Sequence, residues 1–135
     1  MFAFFGVFIF GASACLNSSF IFSWCVRLSY IIPLQNWNVS NGTDFSSFFS
    51  GCVSLTDLRP LQNWNVSNGK NFSSMFNCCF ELSDISPIQK WNVSNGTHFV
   101  GMFFRCQKIF NINLLQTWNF SNGRYFYDML GEHGA

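Results

Sequence analysis

The apolar positions of the chain recur on two short spacings nested inside one long one. Phe45, Phe48, Phe49 and Cys52 fall at i, i+3, i+4 and i+7, which is one face of an amphipathic helix. The face returns as Phe72, Met75, Phe76 and Cys79, and again as Phe99, Met102, Phe103 and Cys106. This spacing predicts a short helix over 44–51, with Thr43 or Asp44 as its N-cap. A helix so short must be held by its neighbours. Leu55, Leu58, Leu61 and Trp64 follow at steps of three. The stretch from Leu55 to Leu58 predicts a short strand that Pro60, and Pro87 in the next copy, stop from extending, because proline has no amide to donate. Asn41-Gly42 and its copies predict a turn in which glycine is free to take φ > 0.

The long spacing is 27: Trp37, Trp64, Trp91 and Trp118 keep it, as do Cys25, Cys52, Cys79 and Cys106. Phe45, Phe72, Phe99 and Phe126 hold the same register, with Leu28, Leu55, Leu82 and Ile109. WNVSNG begins at Trp37, Trp64 and Trp91 and returns as WNFSNG at Trp118. A fixed period of this length signals a stack of repeats. Residues 1–135 therefore predict one repeat domain, with coils at about 1–9 (partial), 10–36, 37–63, 64–90, 91–117 and 118–135 (partial). Each coil reads as a strand, a turn-containing loop and a short helix, an α/β solenoid of about five coils whose strands stack in parallel ~4.8 Å apart. Like residues then meet in columns, so Trp37, Trp64 and Trp91 should stand in a row. The chain starts and stops inside repeats and carries no polar cap of the kind a solenoid requires. End-to-end self-association, or membership of a longer array, is the expectation.

Composition sharpens this picture. Aromatic residues make up 20% of the chain, 19 of them Phe, against only 10% charged. So large an apolar load has to be buried, and regular stacking of repeats would bury it. The formal net charge of +1 is too weak to recommend nucleic acid or an anionic membrane as a partner.

The chemically suggestive residues have plain structural readings beside them. The cysteine column could carry disulfides or metal. In-register Cβ atoms nearly a coil apart are too distant for a bridge, which wants ~3.8 Å, and there is no C-x-x-C and only two His. Buried free thiols are the better reading, with Cys79 rather than its neighbour Cys78 in the column. Asn17, Asn38, Asn41, Asn65, Asn71, Asn92, Asn95 and Asn119 each begin N-x-[ST], a glycosylation pattern that the repeat generates by itself. They read first as turn and ladder residues. The apolar start ending at Cys15 resembles a lipoprotein signal without a basic n-region. A degenerate first coil is the rival reading, and a membrane attachment follows only if Cys15 is lipidated. His98 and His133 are non-equivalent, and no G-x-S-x-G, H-E-x-x-H or phosphate-cradling loop occurs. No catalytic, cofactor or metal residue is predicted, and the chain does not read as an enzyme.

The stretch WNVSNGTDFSSFFSGCVSL, from Trp37 to Leu55, and its copies from Trp64 and Trp91 resemble the W-D-x-S-N-V-T-x-M-x-x-M-F-x-x-C-x-x-L repeats of BspA-like leucine-rich-repeat surface proteins. Asn38 stands where the family often has Asp, Gly42 where it has Val, and Phe45 where it has Met. The resemblance implies a right-handed leucine-rich-repeat-like solenoid, adhesion or protein binding, and a cell-surface or extracellular setting. Within the repeat, the positions that change from copy to copy are Thr56, Asp57 and Arg59, then Ser83, Asp84 and Ser86, then Phe110, Asn111 and Asn113. They are the candidate interaction face, with Phe110 a possible anchor. The expected partner is a protein or a glycan. The competing expectation is a structural spacer, or a remnant of a longer array, with no ligand of its own.

Overall fold

The computed structural model describes residues 19–131. The supposed signal around Cys15 and the C-terminal His133 lie outside them. Within them the 27-residue units do lie on one another. Parallel bridges join Asp44 to Asn71, Asn71 to His98 and His98 to Tyr125. The indoles of Trp64, Trp91 and Trp118 stack with centroids 6.4 Å apart, and Trp37, in the same register, is buried against Phe22.

The coil itself differs from the expected one. Among the described residues there is no strand beyond those isolated bridges and no α-helix, so an α/β leucine-rich-repeat-like solenoid of strand–loop–helix coils is not the fold. The predicted helix over 44–51 fails because two of its residues take left-handed backbone angles. Ser47 has φ 55° and Gly51 φ 74°. The same two registers are left-handed in the other copies, at Phe20, Ser74, Gly101 and Asp128, and at Trp24, Cys78 and Arg105. A right-handed helix cannot pass through such residues. Alternate N–H groups bond forward to the next coil instead. Phe45 N donates to Asn71 O at 2.8 Å, Ser47 N to Ser73 O at 2.8 Å, Phe49 N to Met75 O at 2.9 Å and Gly51 N to Asn77 O at 2.7 Å. The groups between them close tight turns on their own chain, as Ser50 N does on Ser47 O and Cys52 N on Phe49 O.

The predicted strand from Leu55 to Leu58 fails for a related reason. A step of three matches turns closed by i→i−3 bonds, not the alternation of a strand. Leu55 N bonds Cys52 O, Leu61 N bonds Leu58 O and Trp64 N bonds Leu61 O. This part of each coil is a short 3₁₀-helix: Ile32–Asn36, Arg59–Leu61, Ser86–Ile88 and Ile112–Thr117. Pro33, Pro60 and Pro87 sit in the first turn of three of them, where no N–H is needed.

The turn glycines also differ from expectation. Gly69, Gly96 and Gly123 do not take positive φ. They are required by closeness: a Cβ on Gly96 would lie 2.4 Å from Phe99 Cζ and 3.0 Å from Val93 O. The amides of the WNVSN string hold the turn in two ways. Asn38, Asn65, Asn92 and Asn119 each accept from the backbone N–H two residues on, and Asn68, Asn95 and Asn122 each donate to a serine carbonyl of the coil before at 2.7 Å.

The core is a set of columns. Phe45, Phe72, Phe99 and Phe126 stack at 5.4–5.6 Å, and Phe22, Phe49, Phe76 and Phe103 at 5.5–5.8 Å. The indole N–H groups of Trp64, Trp91 and Trp118 each find a carbonyl of the preceding coil, as Trp64 does with Leu34 O and Trp91 with Leu61 O, both at 2.9 Å. These three indoles are thus buried without an unpaired donor.

Candidate functional site

Each coil has two unlike walls. The wall of 45–52 and its copies is tied to its neighbours by the backbone ladder. The edge that carries the 3₁₀-helices is not. Over 54–64 and its copies, the one coil-to-coil backbone bond among the described residues is a long one, Phe110 N to Ser83 O at 3.4 Å. The edge is held from beneath by Leu58, Leu61, Ile85 and Ile88, all buried, so its outward positions carry no part of the backbone ladder.

All nine residues of the candidate face lie on this edge. Thr56, Arg59, Asp84, Ser86, Phe110, Asn111 and Asn113 are exposed, and Asp57 and Ser83 are half-buried. Phe110 is 74% exposed, a large apolar side chain standing in solvent. Asp57 and Asp84 also have local work. Their Oδ1 atoms accept from Arg59 N at 3.0 Å and Ser86 N at 2.9 Å, and so start the 3₁₀ turns. Arg59 grips Asp57 with Nε on Oδ1 at 2.9 Å and Nη2 on Oδ2 at 2.7 Å. That grip holds the Asp57 carboxyl below its ordinary pKa and raises that of the guanidinium.

Two grooves flank Arg59, each between successive coils. One of about 530 Å³ is lined by Arg59, Gln62, Asn63, Asp84, Ser86, Pro87, Gln89 and Lys90. The other, about 230 Å³, is lined by Ile32, Gln35, Asp57, Arg59 and Pro60. Gln35, Gln62, Gln89, Lys90 and the half-exposed Tyr30 are edge residues outside the nine of the candidate face. Tyr30 shares the register of Asp57 one coil earlier. The glutamines keep one identity through four copies, Gln35, Gln62, Gln89 and Gln116, a constancy that suits a place in the stack as well as one on the surface. The available signal was that a constant residue sat beside variable, solvent-facing ones.

The remaining chemistry is quiet. Cys25, Cys52, Cys79 and Cys106 carry free thiols, and Cys79, not Cys78, joins the core column. Cys52, Cys79 and Cys106 each donate to a phenylalanine carbonyl of the coil before: Phe22 O, Phe49 O and Phe76 O. Burial pushes the Cys52 and Cys106 thiols up to about 12 and Cys79 well above its usual value. Such thiols are poor nucleophiles at neutral pH. His98 Nδ1 lies 2.7 Å from Thr97 Oγ1, and its ring leans on Tyr125. Among the described residues no His, Cys, Asp and Glu cluster could hold a metal ion, and no helix is long and apolar enough to cross a membrane.

The profile of a repeat family described as "Mycoplasma protein of unknown function, DUF285" matches residues 16–134, nearly the whole chain. The chain belongs to this family. No curated protein matches it. The DUF285 match spans the coils described above, the edge with its grooves included.

Proposed function

We propose that this DUF285 chain is a non-catalytic interaction module of the adhesion type that its BspA-like resemblance implies, with the 3₁₀ edge as its binding surface. The observation that carries the reading is the contrast between the walls. Among the described residues, only on the edge do variation from copy to copy, exposure, intercoil grooves and freedom from the backbone ladder coincide. Asp57 and Asp84 make poor probes, because changing them also breaks the turns they start. Arg59 and Phe110 are better ones, since both side chains project into solvent. Selection of the chain against a displayed-peptide library and a glycan array should yield binders that the pair Arg59→Ser and Phe110→Ser weakens about tenfold or more, at unchanged thermal midpoint. Binders indifferent to both changes would place recognition elsewhere and sink the reading.

A further inference from the structure

Two columns of carboxamides run through the repeats, and they are used differently. The asparagines of the WNVSN turns are spent, every one from Asn65 to Asn122 bonding backbone in its own coil or the one before. Gln35, Gln62, Gln89 and Gln116 are equally constant, yet none of their side chains makes a hydrogen bond within the described residues. Three of the four are exposed and Gln89 is half-exposed. Gln62 and Gln89 share the larger groove and Gln35 lines the smaller one. An amide that the stack does not need has its donor pair and its acceptor available to a ligand.

We infer that this glutamine column is a binding track for a neutral, extended β-linked polysaccharide lying along the stacking axis, one sugar ring to each coil. The inference rests on the edge being the binding surface, as proposed above. Three features select this class. Coils joined by parallel bridges advance ~4.8 Å each at the bridged positions, and the tryptophan column two residues along from the glutamines repeats at 6.4 Å, so the coil repeat brackets the length of one ring in an extended β-linked chain. Each ring offers hydroxyls that both donate and accept; each glutamine can answer both, and Asn63 and Ser86 stand with Gln62 and Gln89 on the larger groove. The charges of the track cancel: Asp57 is paired with Arg59, and Asp84 and Lys90 stand on the same groove. That balance gives a sulfated or phosphorylated chain no advantage over a neutral one.

The test is native affinity electrophoresis of the full chain in gels containing hydroxyethyl cellulose, galactomannan or xylan, followed by calorimetry with oligosaccharides of increasing length. Retardation by at least one of these is expected, with affinity rising ring by ring until the column is spanned. The double change Gln62→Ala with Gln89→Ala should weaken binding about tenfold and leave the thermal midpoint in place. Gln62→Glu with Gln89→Glu keeps the side-chain shape, removes the donors and should weaken binding as well. Undiminished retardation of both double variants overturns the inference. So does the absence of retardation in every gel. If the chain then still selects peptides through Arg59 and Phe110, the edge remains a binding surface and only the sugar is wrong. If it selects neither, both readings fall.

Discussion

The wall of 45–52 and the edge of 54–64 belong to the same coil and stack on the same neighbours, but different forces hold them. The first is locked by backbone bonds running up the column from alternate residues, with phenylalanine rings stacked beneath. The second rests on buried leucines and isoleucines and makes almost no backbone bond between coils. A ladder fixes the path of every residue in it, so the first wall tolerates little. An edge supported mainly from below can exchange outward side chains that hold no turn or intercoil bond, such as Thr56 and Phe110, without disturbing the stack. That division lets one repeat both build a column and vary a surface.

The largest test of the comparison is truncation of one phenylalanine on each wall. Phe76 is fully buried, with Phe49 at 5.7 Å and Phe103 at 5.5 Å. Phe76→Ala opens a hole in the middle of a column and should cost ~3–5 kcal/mol of stability. Phe110→Ala removes a ring that stands in solvent and should change stability by less than about 0.5 kcal/mol. Chemical denaturation of the two variants reads the difference, and comparable losses would dissolve the distinction between the walls.

The thiols provide a second, pH-dependent contrast. Cys52, Cys79 and Cys106 close the ladder wall. A thiol is neutral when protonated, so burial raises its folded pKa and the folded state keeps its proton after the unfolded state has lost it. The stabilisation is complete below the ordinary value of 9.0 and is lost as pH climbs from there toward about 12. Over that window each thiol contributes a downward slope of up to ~1.4 kcal/mol per pH unit. Urea midpoints measured from pH about 8 to about 11 should fall, and Cys52→Ala with Cys106→Ala should flatten the fall. An equal slope in that variant would assign the alkaline loss to other groups.

The sequence foretold the columns and the buried faces better than the elements. Phe45, Phe48, Phe49 and Cys52 are all fully buried, as their spacing requires. The helix behind that spacing does not form, because a side-chain period reports which face is apolar and not the sign of φ. A clue was present in Gly51 and Gly101, which interrupt the supposed helix in two copies at two different registers. Those are the two registers that turn left-handed in every described copy. The edge was legible through its variation at Thr56, Asp57 and Arg59 and their counterparts. The glutamine column was not, because a residue constant for a ligand and one constant for the stack look alike until hydrogen bonds are seen. The DUF285 match extends over both walls and does not separate them.

A smaller pair of effects differs in sign between the walls. Ser74 takes φ 58°, while the same register in the next coil is Gly101 at φ 61°. A non-glycine residue in that region costs on the order of 1–2 kcal/mol, and glycine gives back part of the gain through the freedom of its unfolded chain. Ser74→Gly should therefore stabilise the stack by a few tenths of a kcal/mol up to ~1 kcal/mol. On the edge no left-handed residue occurs between 54 and 64, so glycine has only its entropic cost to offer there. Thr56→Gly should destabilise by roughly 0.5–1 kcal/mol. Paired thermal scans read both variants against the parent. A Ser74→Gly chain that melts lower would mean that the left-handed turns of the ladder wall carry no strain for glycine to relieve.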